Sequence, residues 1–274
     1  MNPLKSLLAG LSLRKTGRSA KAVIFLHIPK TAGQSTHRYL EKLFDPHDIC
    51  PARENDKLLT IPAARLQRYR LFSGHLDWSL LDVVPQPRFV FTILREPRER
   101  LLSFYFFMRH KAATLPKEQL ELKHVMRAAL TLTPDEYFCG GPHLIRQAID
   151  SLHDNFYTYY FAGRTFDARR KLKDYMAREF KEKSEDKLVE LALSNMRMLD
   201  RVYTIDQLDR LEMHLRREIG ISERGTSIGR VNKGEGDFSS RLSTLRELGA
   251  TDRTFDRLKE MTRLDDRIWR EYAQ

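Results

Sequence analysis

The stretch that decides the fold of this 274-residue chain lies near its N-terminus. It reads Val23-Ile24-Phe25-Leu26-His27-Ile28-Pro29-Lys30-Thr31-Ala32-Gly33-Gln34-Ser35. Residues 23–28 form an apolar run with β-branched residues, which is typical of a strand buried on both faces of a parallel sheet. Pro29 ends the run, and residues 35–44 carry apolar side chains at helical spacing. This stretch therefore predicts a strand, a loop and a helix, in that order.

A second unit of the same kind follows. Residues 88–94 predict a strand, Glu96 and Pro97 predict a turn, and residues 98–108 predict a helix. Pro97 suits the first position of a helix, because the N–H that proline lacks would have no helical partner there.

The C-terminal half continues the alternation. Helices are predicted over residues 166–199 and 206–219, with a strand at 201–205 between them and Gly220 as a C-terminal stop. Strands that alternate with helices indicate an α/β fold, in this case a P-loop-like central parallel sheet flanked by helices.

The chain is predicted to form one domain over residues 22–274, because no repeat, low-complexity segment or linker divides it. Residues 1–21 are predicted to be a basic N-terminal extension. Its apolar stretch, residues 4–13, is far shorter than the roughly 20 residues that span a bilayer. Its positive charges follow the apolar part, whereas in a signal peptide they precede it. The extension is either a frayed tail or a basic helix with peripheral contact to a membrane surface.

Composition narrows the ligands and the compartment. The chain has 48 Lys and Arg against 37 Asp and Glu, a net charge of +11. This excess favours a polyanionic ligand but does not choose among nucleotide, nucleic acid, acidic glycan and anionic lipid. Cys50 and Cys139 lack the spacing of a zinc site or a disulfide scaffold, which favours a reducing, cytoplasmic location. No other metal-ligand spacing is present, so we expect no metal.

The loop after the first strand predicts an anion site. A strand-to-helix turn aims backbone N–H groups and the positive end of the helix dipole at one point. Lys30 adds a mobile charge, and Thr31 and Ser35 add hydroxyl groups, while Gly33 permits a close approach of the backbone. The pattern G-x-x-x-x-G-K-[ST] is absent, so an ordinary ATPase or GTPase loop does not fit. Taken alone, the segment is also compatible with a capped turn that carries a surface lysine.

The second turn predicts another phosphate contact. It reads Arg95-Glu96-Pro97-Arg98-Glu99-Arg100-Leu101-Leu102-Ser103-Phe104-Tyr105. Ser103 follows Glu96 by nearly two helical turns, so both lie on one face above the loop that begins at Arg95. The guanidinium of Arg95 and the hydroxyl of Ser103 can then converge on one phosphate, which the planar arginine fork suits. The alternative is a basic exposed helix whose serine is incidental.

The two turns resemble the donor-binding motifs of sulfotransferases that use PAPS (3'-phosphoadenosine 5'-phosphosulfate). H-I-P-K-T-A-G-x-S is similar to the 5'-phosphosulfate loop of carbohydrate sulfotransferases. The resemblance implies that the phosphosulfate is held by Lys30, Thr31, Ala32, Gly33, Gln34 and Ser35. Lys30 would also neutralise the charge that grows on the oxygen between phosphorus and sulfur. Residues 74–105 look closest to the 2-O-sulfotransferases of heparan and related glycans.

The second turn resembles the 3'-phosphate motif of this family, R-x-P-x-x-R-x-x-S-x-Y. The match assigns Arg95 and Ser103 to the 3'-phosphate, while Arg100 either belongs to the motif or makes structural salt bridges. Residues 232–238 are similar to the R-K-G-x-x-G-D-W loop of cytosolic sulfotransferases. Asparagine replaces the arginine there, so the resemblance carries over only Lys233 and Gly234, with a glycine-rich surface loop as the alternative.

His75 is the candidate for the base that accepts a proton from the acceptor hydroxyl. It follows a short apolar run and Gly74, which places it at a strand end near both turns. Glycan 2-O-sulfotransferases carry a similar G-H-x-x-x-x-D stretch whose histidine is the catalytic base, although Asp77 comes sooner in this chain. Asp77 would orient His75 or act as the base itself. His27 is interpreted as structural, because it lies within a buried strand.

The sequence thus predicts a PAPS-dependent sulfotransferase that releases PAP. Its acceptor would be a hydroxyl of a carbohydrate-like molecule, a glycan or glycoconjugate. The nearest alternative enzyme is a P-loop kinase, but neither of the first two predicted strands ends in the aspartate that would bind magnesium, which leaves Glu96 as the candidate. The sequence carries no signature for the acceptor or for the oligomeric state.

A nucleic-acid-binding protein is the alternative outside enzymes. It is suggested by the net charge and by a basic run, Arg169-Arg170-Lys171-x-Lys173. No nucleic-acid-binding motif accompanies the run, so no nucleic-acid partner is expected. The run is otherwise a solvated helix face or a landing surface for an acidic glycan.

Overall fold

Four strands form one parallel sheet. A computed structural model describes residues 21–78, 84, 86–172, 184–220, 227–228 and 238–273. The strands are β1 Ala22–Leu26, β2 Leu71–Gly74, β3 Arg88–Leu94 and β4 Arg201–Thr204. Their order across the sheet is β2-β1-β3-β4, and each neighbouring pair is parallel.

Helices flank this sheet on both faces. In chain order they are α1 Gly33–Glu41, α2 Asn55–Leu59, α3 Ala63–Leu66, α4 Pro97–Ala113, α5 Lys117–Glu121, α6 His124–Thr131, α7 Pro134–Cys139, α8 His143–His153, α9 Phe156–Gly163, α10 Ser184–Met196, α11 Leu208–Ile219, α12 Phe238–Glu247 and α13 Asp252–Tyr272. The predicted α/β fold, a central parallel sheet flanked by helices, is confirmed. No helix in the described part of the chain combines the length and the apolar character that crossing a membrane requires.

The side chains of β1 alternate between two cores. Ile24 and Leu26 pack into a core with residues of α9, α10 and α13. Val23 and Phe25 pack on the opposite face, with residues of α1 and α11. Exposure of the strand's residues does not exceed 3%. The apolar run in the sequence is therefore explained by burial on both faces, which stabilises the fold by about 1.5–3 kcal/mol for each large apolar side chain.

The strand order brings the two predicted turns together. The chain passes from β1 to β2 on one side and then returns to β3 on the other side of β1. The loops that follow β1 and β3 therefore leave the sheet in opposite directions from adjacent strands. Ligands of open α/β sheets bind in the crevice that forms at such a point. Because β2 is parallel to β1, His75 at its end lies at the same edge.

Most predicted elements near this edge agree with the structure. β3 has the predicted bounds, and Gly220 ends α11 with a left-handed φ of 73°. The predicted single helix over residues 166–199 is wrong at its start. Phe166 lies in a turn, where its N–H donates to the Asp77 carboxylate at 2.8 Å, and helix resumes over residues 168–172. A contact with a distant carboxylate thus overrides the local helical pattern.

Candidate active site

The loop between β1 and α1 has two residues in the left-handed region, Lys30 with φ 73° and Ala32 with φ 61°. Ala32 is the N-cap of α1 and makes no capping bond through its side chain. The first hydrogen bond within the helix runs from the N–H of Thr36 to the carbonyl of Ala32. The N–H groups of residues 33–35 precede that bond, so the helix cannot pair them internally. This is the arrangement that binds anions at helix N-termini.

Thr31 contributes to the loop's own structure. Its hydroxyl donates to the carbonyl of Ile28 at 2.8 Å, and its side chain is fully buried. The Thr31 hydroxyl therefore already donates its proton to a hydrogen bond within the loop. Ser35 lies in the first turn of α1 and is largely buried.

Gly33 is packed against the imidazole of His27. A Cβ at this position would lie 1.7 Å from Nε2 of His27, well inside any allowed contact. The close approach for which glycine was predicted is therefore made toward a histidine of the same chain. Burial holds the pKa of His27 well below its usual value, and His75, Arg53, His37 and Lys30 add to this effect. His27 is thus a neutral packing residue, as the sequence indicated.

Lys30 extends from this loop toward α4. Its Nζ lies 4.2 Å from the centroid of the Phe107 ring, a contact in which the ring face attracts the cation. Burial, together with the positive charges of Arg95 and Arg241, lowers the pKa of Lys30 to about 8. An anion bound among these cations would reverse that effect.

Arg95 follows β3 and reaches the first loop. Its Nη1 donates to the carbonyl of Lys30 at 3.4 Å, and its Nη2 donates to Oε1 of Glu99 at 2.5 Å. Its Nε is buried without a hydrogen-bond partner among the described residues. The two turns that the sequence singled out are therefore in direct contact. Ser103 is half-buried two turns along α4, and no bond joins it to Arg95.

Arg100 is a structural residue. It is 1% exposed, and its guanidinium lies 4.7 Å from the ring centroid of Phe156 and 5.3 Å from that of Tyr157. Its Nη2 donates to the carbonyl of Leu152 at 3.4 Å. Of the two roles left open for Arg100, the structure supports the structural one, through aromatic stacking rather than a salt bridge.

His75 follows β2 directly, at the edge where the two turns meet. Gly74 is required before it, because a Cβ there would lie 2.2 Å from the carbonyl oxygen of Arg53. Nδ1 of His75 lies 2.8 Å from the carbonyl oxygen of His27, and this oxygen can only accept a hydrogen bond. The proton of the neutral ring is therefore on Nδ1, which leaves the lone pair on Nε2. Burial lowers the pKa of His75, an effect that the His27 carbonyl partly offsets.

Asp77 is engaged elsewhere. Its Oδ1 accepts the backbone N–H of Phe166 at 2.8 Å, and its own N–H donates to Asn55. The group that orients His75 is the carbonyl of His27, so the suggestion that Asp77 orients the ring is not supported by the hydrogen bonds of the structure.

Arg241 on α12 also reaches this site, and the sequence analysis missed it. Its side chain is buried, and its Nη1 lies 3.4 Å from the same Glu99 oxygen that binds Arg95. It is 142 residues from Glu99 in the chain, and no motif surrounds it.

Lys233 and Gly234 lie outside the described residues, as do residues 1–20.

The basic run on the helix at residues 168–172 is paired with acidic neighbours. Arg169 binds Asp154, while Arg170 and Lys171 bind Asp167 at 3.2 and 2.9 Å. Lys173 lies outside the described residues. This pairing supports the interpretation as a solvated helix face, because paired charges attract a polyanion less strongly.

Comparison with known families places these residues in context. Residues 18–141 match the model of the sulfotransferase family. The matched segment is similar to the sulfotransferase family and makes up less than half of the 274-residue chain. It contains both turns and His75, and it ends before Arg241. This match supports the prediction of a PAPS-dependent sulfotransferase.

Two further comparisons add little to the family match. Among solved structures, this chain is similar to mouse sulfotransferase SULT7A1 complexed with PAP. The identity is 15%, with 94% of this chain and 91% of that chain covered, and the TM-score is 0.30. A score this low supports no conclusion about this chain. A comparison with curated proteins found no match.

Proposed function

We propose that this chain is a sulfotransferase that takes its sulfuryl group from PAPS and transfers it to a hydroxyl of a carbohydrate-like acceptor, with His75 as the general base. The observation that carries the proposal is the direct contact between the β1 and β3 turns through Arg95 and the carbonyl of Lys30. Both turns carry cationic groups at the carboxyl ends of adjacent parallel strands, inside the segment that matches the family.

The residues of the crevice fit a nucleotide with phosphates at two positions. Arg95 has a buried Nε without a hydrogen-bond partner among the described residues, which an anionic oxygen would satisfy. Lys30 has its charged form destabilised by burial and by neighbouring cations, and a phosphosulfate would offset this cost. The N-terminus of α1 would supply backbone N–H groups to the same group. PAPS, when bound, supplies the activated sulfuryl group.

The chemistry of His75 and Lys30 follows from their protonation. His75 is neutral, so its Nε2 can accept the proton that the acceptor hydroxyl loses as its oxygen bonds to sulfur. Lys30 is charged at neutral pH, so its Nζ can stabilise the negative charge left on the phosphate oxygen when the bond from that oxygen to sulfur breaks. No electron transfer is needed. The proton goes to Nε2 of His75, and the leaving phosphate oxygen keeps the bonding electrons as a negative charge that Lys30 stabilises.

The carbohydrate acceptor rests on sequence resemblance. Residues 74–105, which include Gly74, His75 and the Arg95 turn, look closest to glycan 2-O-sulfotransferases. A net charge of +11 suits an acidic glycan, because positive potential raises the local concentration of a polyanion. The cytoplasmic location and the absence of a metal requirement stay predictions.

Thermal-shift titration tests the donor. PAP should raise the melting temperature in a concentration-dependent way, because a ligand that binds only the native state stabilises it by mass action. ATP with magnesium should raise it much less. Equal stabilisation by ATP with magnesium, and none by PAP, would favour the kinase alternative and overturn the proposal.

A transfer assay tests the acceptor. Radiolabelled PAPS is incubated with desulfated heparan-type glycans, neutral oligosaccharides and small alcohols in parallel. We expect more label on the glycans than on the other acceptors. Label on a small alcohol or a lipid, and none on any glycan, would leave the sulfotransferase activity intact and refute the carbohydrate acceptor.

A further inference from the structure

Two tyrosine hydroxyl groups of α9 bind backbone groups of the candidate site. Tyr157 is in the first turn of the helix, and Tyr160 is three residues further along. Both side chains are buried, with 0% and 2% exposure. Burial raises the pKa of both phenols, so each hydroxyl keeps its proton and can donate a hydrogen bond. The helix follows the segment that matches the family, which ends at residue 141.

Tyr157 binds the backbone of Arg95 twice. Its hydroxyl accepts the N–H of Arg95 at 3.0 Å and donates to the carbonyl of Arg95 at 2.9 Å. Arg95 lies between the end of β3 and the start of α4, where regular structure does not supply partners for its backbone. The phenol supplies both partners. The guanidinium of Arg95 therefore extends from a backbone that is fixed at its N–H and at its carbonyl.

Tyr160 binds the residue that follows His75. Its hydroxyl donates to the carbonyl of Leu76 at 2.8 Å. The turn after α9 adds two contacts to the same segment. The N–H of Phe166 donates to the Asp77 carboxylate at 2.8 Å, and the Phe166 ring meets the His75 ring edge to face, with centroids 5.9 Å apart. The turn that carries His75 is therefore held by α9 and by the residues directly after it.

The start of α9 is anchored by α13. The carboxylate of Asp265 accepts the N–H of Tyr157 at 3.0 Å and the N–H of Thr158 at 2.8 Å. It also accepts the hydroxyl of Thr158 at 2.8 Å, and it is 1% exposed. A carboxylate at this position satisfies N–H groups that a helix cannot pair internally. The helix is thus held in place by contacts that involve neither the Arg95 turn nor the His75 turn.

We propose that α9 is the positioning element of the site, in which Tyr157 holds Arg95 for the 3'-phosphate and Tyr160 holds the turn that carries His75. Each tyrosine acts through the residue whose backbone it binds, so both are positioning residues. Because both hydroxyl groups are on one helix, α9 also fixes the two turns relative to each other. This inference rests on the proposed function, since it takes Arg95 as a phosphate contact and His75 as the base.

Tyrosine-to-phenylalanine variants test the inference, because they remove one hydroxyl and keep the ring. Tyr157→Phe should bind PAP about 3- to 10-fold more weakly in isothermal titration, the effect expected when hydrogen bonds between neutral groups are lost. Adenosine 5'-phosphosulfate, which lacks the 3'-phosphate, should lose far less affinity. Turnover at saturating PAPS, measured with radiolabelled PAPS and a desulfated heparan-type glycan, should stay nearly unchanged.

Tyr160→Phe should show the opposite pattern. Turnover should fall by about 10-fold or more, because a small displacement of the base makes proton transfer less efficient. PAP affinity should stay nearly unchanged. Tyr159→Phe is the matched control, since Tyr159 is partly buried on the same helix and its ring lies beside Arg169, 5.7 Å from the guanidinium. This control should keep wild-type affinity and turnover.

The crossed pattern of the two variants supports the inference. Wild-type values in both variants would overturn it and leave the proposed function standing, as would equal losses of PAP affinity, adenosine 5'-phosphosulfate affinity and turnover in both. A selective effect in only one variant would refute α9 as the shared positioning element. A wild-type chain that binds no PAP or labels no glycan would overturn the proposed function, and this inference with it.

Two further variants decide the matter if the first ones do not fold. Asp265→Asn replaces Tyr157→Phe, because it turns one acceptor oxygen at the start of α9 into a donor and weakens the hold on Tyr157. A larger loss of affinity for PAP than for adenosine 5'-phosphosulfate supports the inference, and equal affinities or equal losses contradict it. Phe166→Leu replaces Tyr160→Phe, because it removes the ring that contacts His75. Lower turnover with unchanged PAP affinity supports the inference, and wild-type turnover contradicts it.

Discussion

The imidazole of His75 stacks on that of His27 with ring centroids 4.3 Å apart, and its Nδ1 donates to the carbonyl of the same residue. Gly33 packs against the same His27 ring, because a Cβ at this position would lie 1.7 Å from its Nε2. His27 therefore connects the candidate base to the loop between β1 and α1. A change in any of these three residues is expected to affect the other two.

Replacement of His75 by alanine should separate binding from chemistry. We expect turnover to fall by about 10²-fold or more while PAP affinity stays nearly unchanged, because the base is lost and the nucleotide site is retained. His143→Ala, at an exposed position on α8, should have wild-type turnover. An active His75→Ala variant would transfer the role to another group, with Asp77 the first candidate.

The pH dependence of the rate provides a second readout for His75. Burial lowers the pKa of His75 below the usual 6.5, so the ring is neutral at pH 7. The rate should therefore fall only when the pH drops below this lowered pKa. In His75→Ala this acidic decline should disappear from the residual rate. An unchanged profile in the variant would show that another group titrates.

Replacement of Arg95 by alanine should weaken PAP binding selectively. A charge-assisted hydrogen bond to phosphate is worth about 2–3 kcal/mol, and adenosine 5'-phosphosulfate should lose far less affinity because it lacks the 3'-phosphate. Arg98→Ala is the control, since Arg98 lies three residues further along the chain, in the first turn of α4, and is half-exposed. Equal losses for both nucleotides would indicate that Arg95 supports the contact between the two loops.

Replacement of Gly33 by alanine should destabilise the fold. The new methyl group would overlap the ring of His27, and overpacking of this kind costs about 1–3 kcal/mol in chemical denaturation. The double variant Gly33→Ala with His27→Ala should be more stable than the sum of the single changes implies, because the smaller side chain makes room. Strictly additive losses would show that the two residues do not compete for space.

Lys30 should give nucleotide binding an alkaline limit. Its pKa in the free protein is about 8, lowered by burial and by Arg95 and Arg241. The charged form therefore declines as the pH rises through this value, and PAP affinity measured by calorimetry should decline with it. Lys30→Arg should keep its affinity at pH 9, because a guanidinium stays charged. The same decline in that variant would assign the titration to a different group.

Local sequence predicted the sheet edge well, because its signals are local. The apolar run of β1, Pro97 at the start of α4 and Gly220 at the end of α11 are each determined by neighbours in the chain. The start of α9 is different. The N–H groups of Tyr157 and Thr158 donate to Asp265, 108 and 107 residues away. A helix start that depends on so distant a carboxylate leaves no signature in its own segment.

The sequence by itself determined that two strand-to-helix turns exist, because a strand, a loop and a helix N-terminus need only a dozen consecutive residues. The tertiary structure decided which side chains serve them. In the folded chain the Thr31 hydroxyl donates to the carbonyl of Ile28, Arg100 is buried among aromatic rings, and Arg241 lies beside Arg95. Packing between distant helices sets the position of a buried cation, and the spacing of residues along the chain carries no record of that packing.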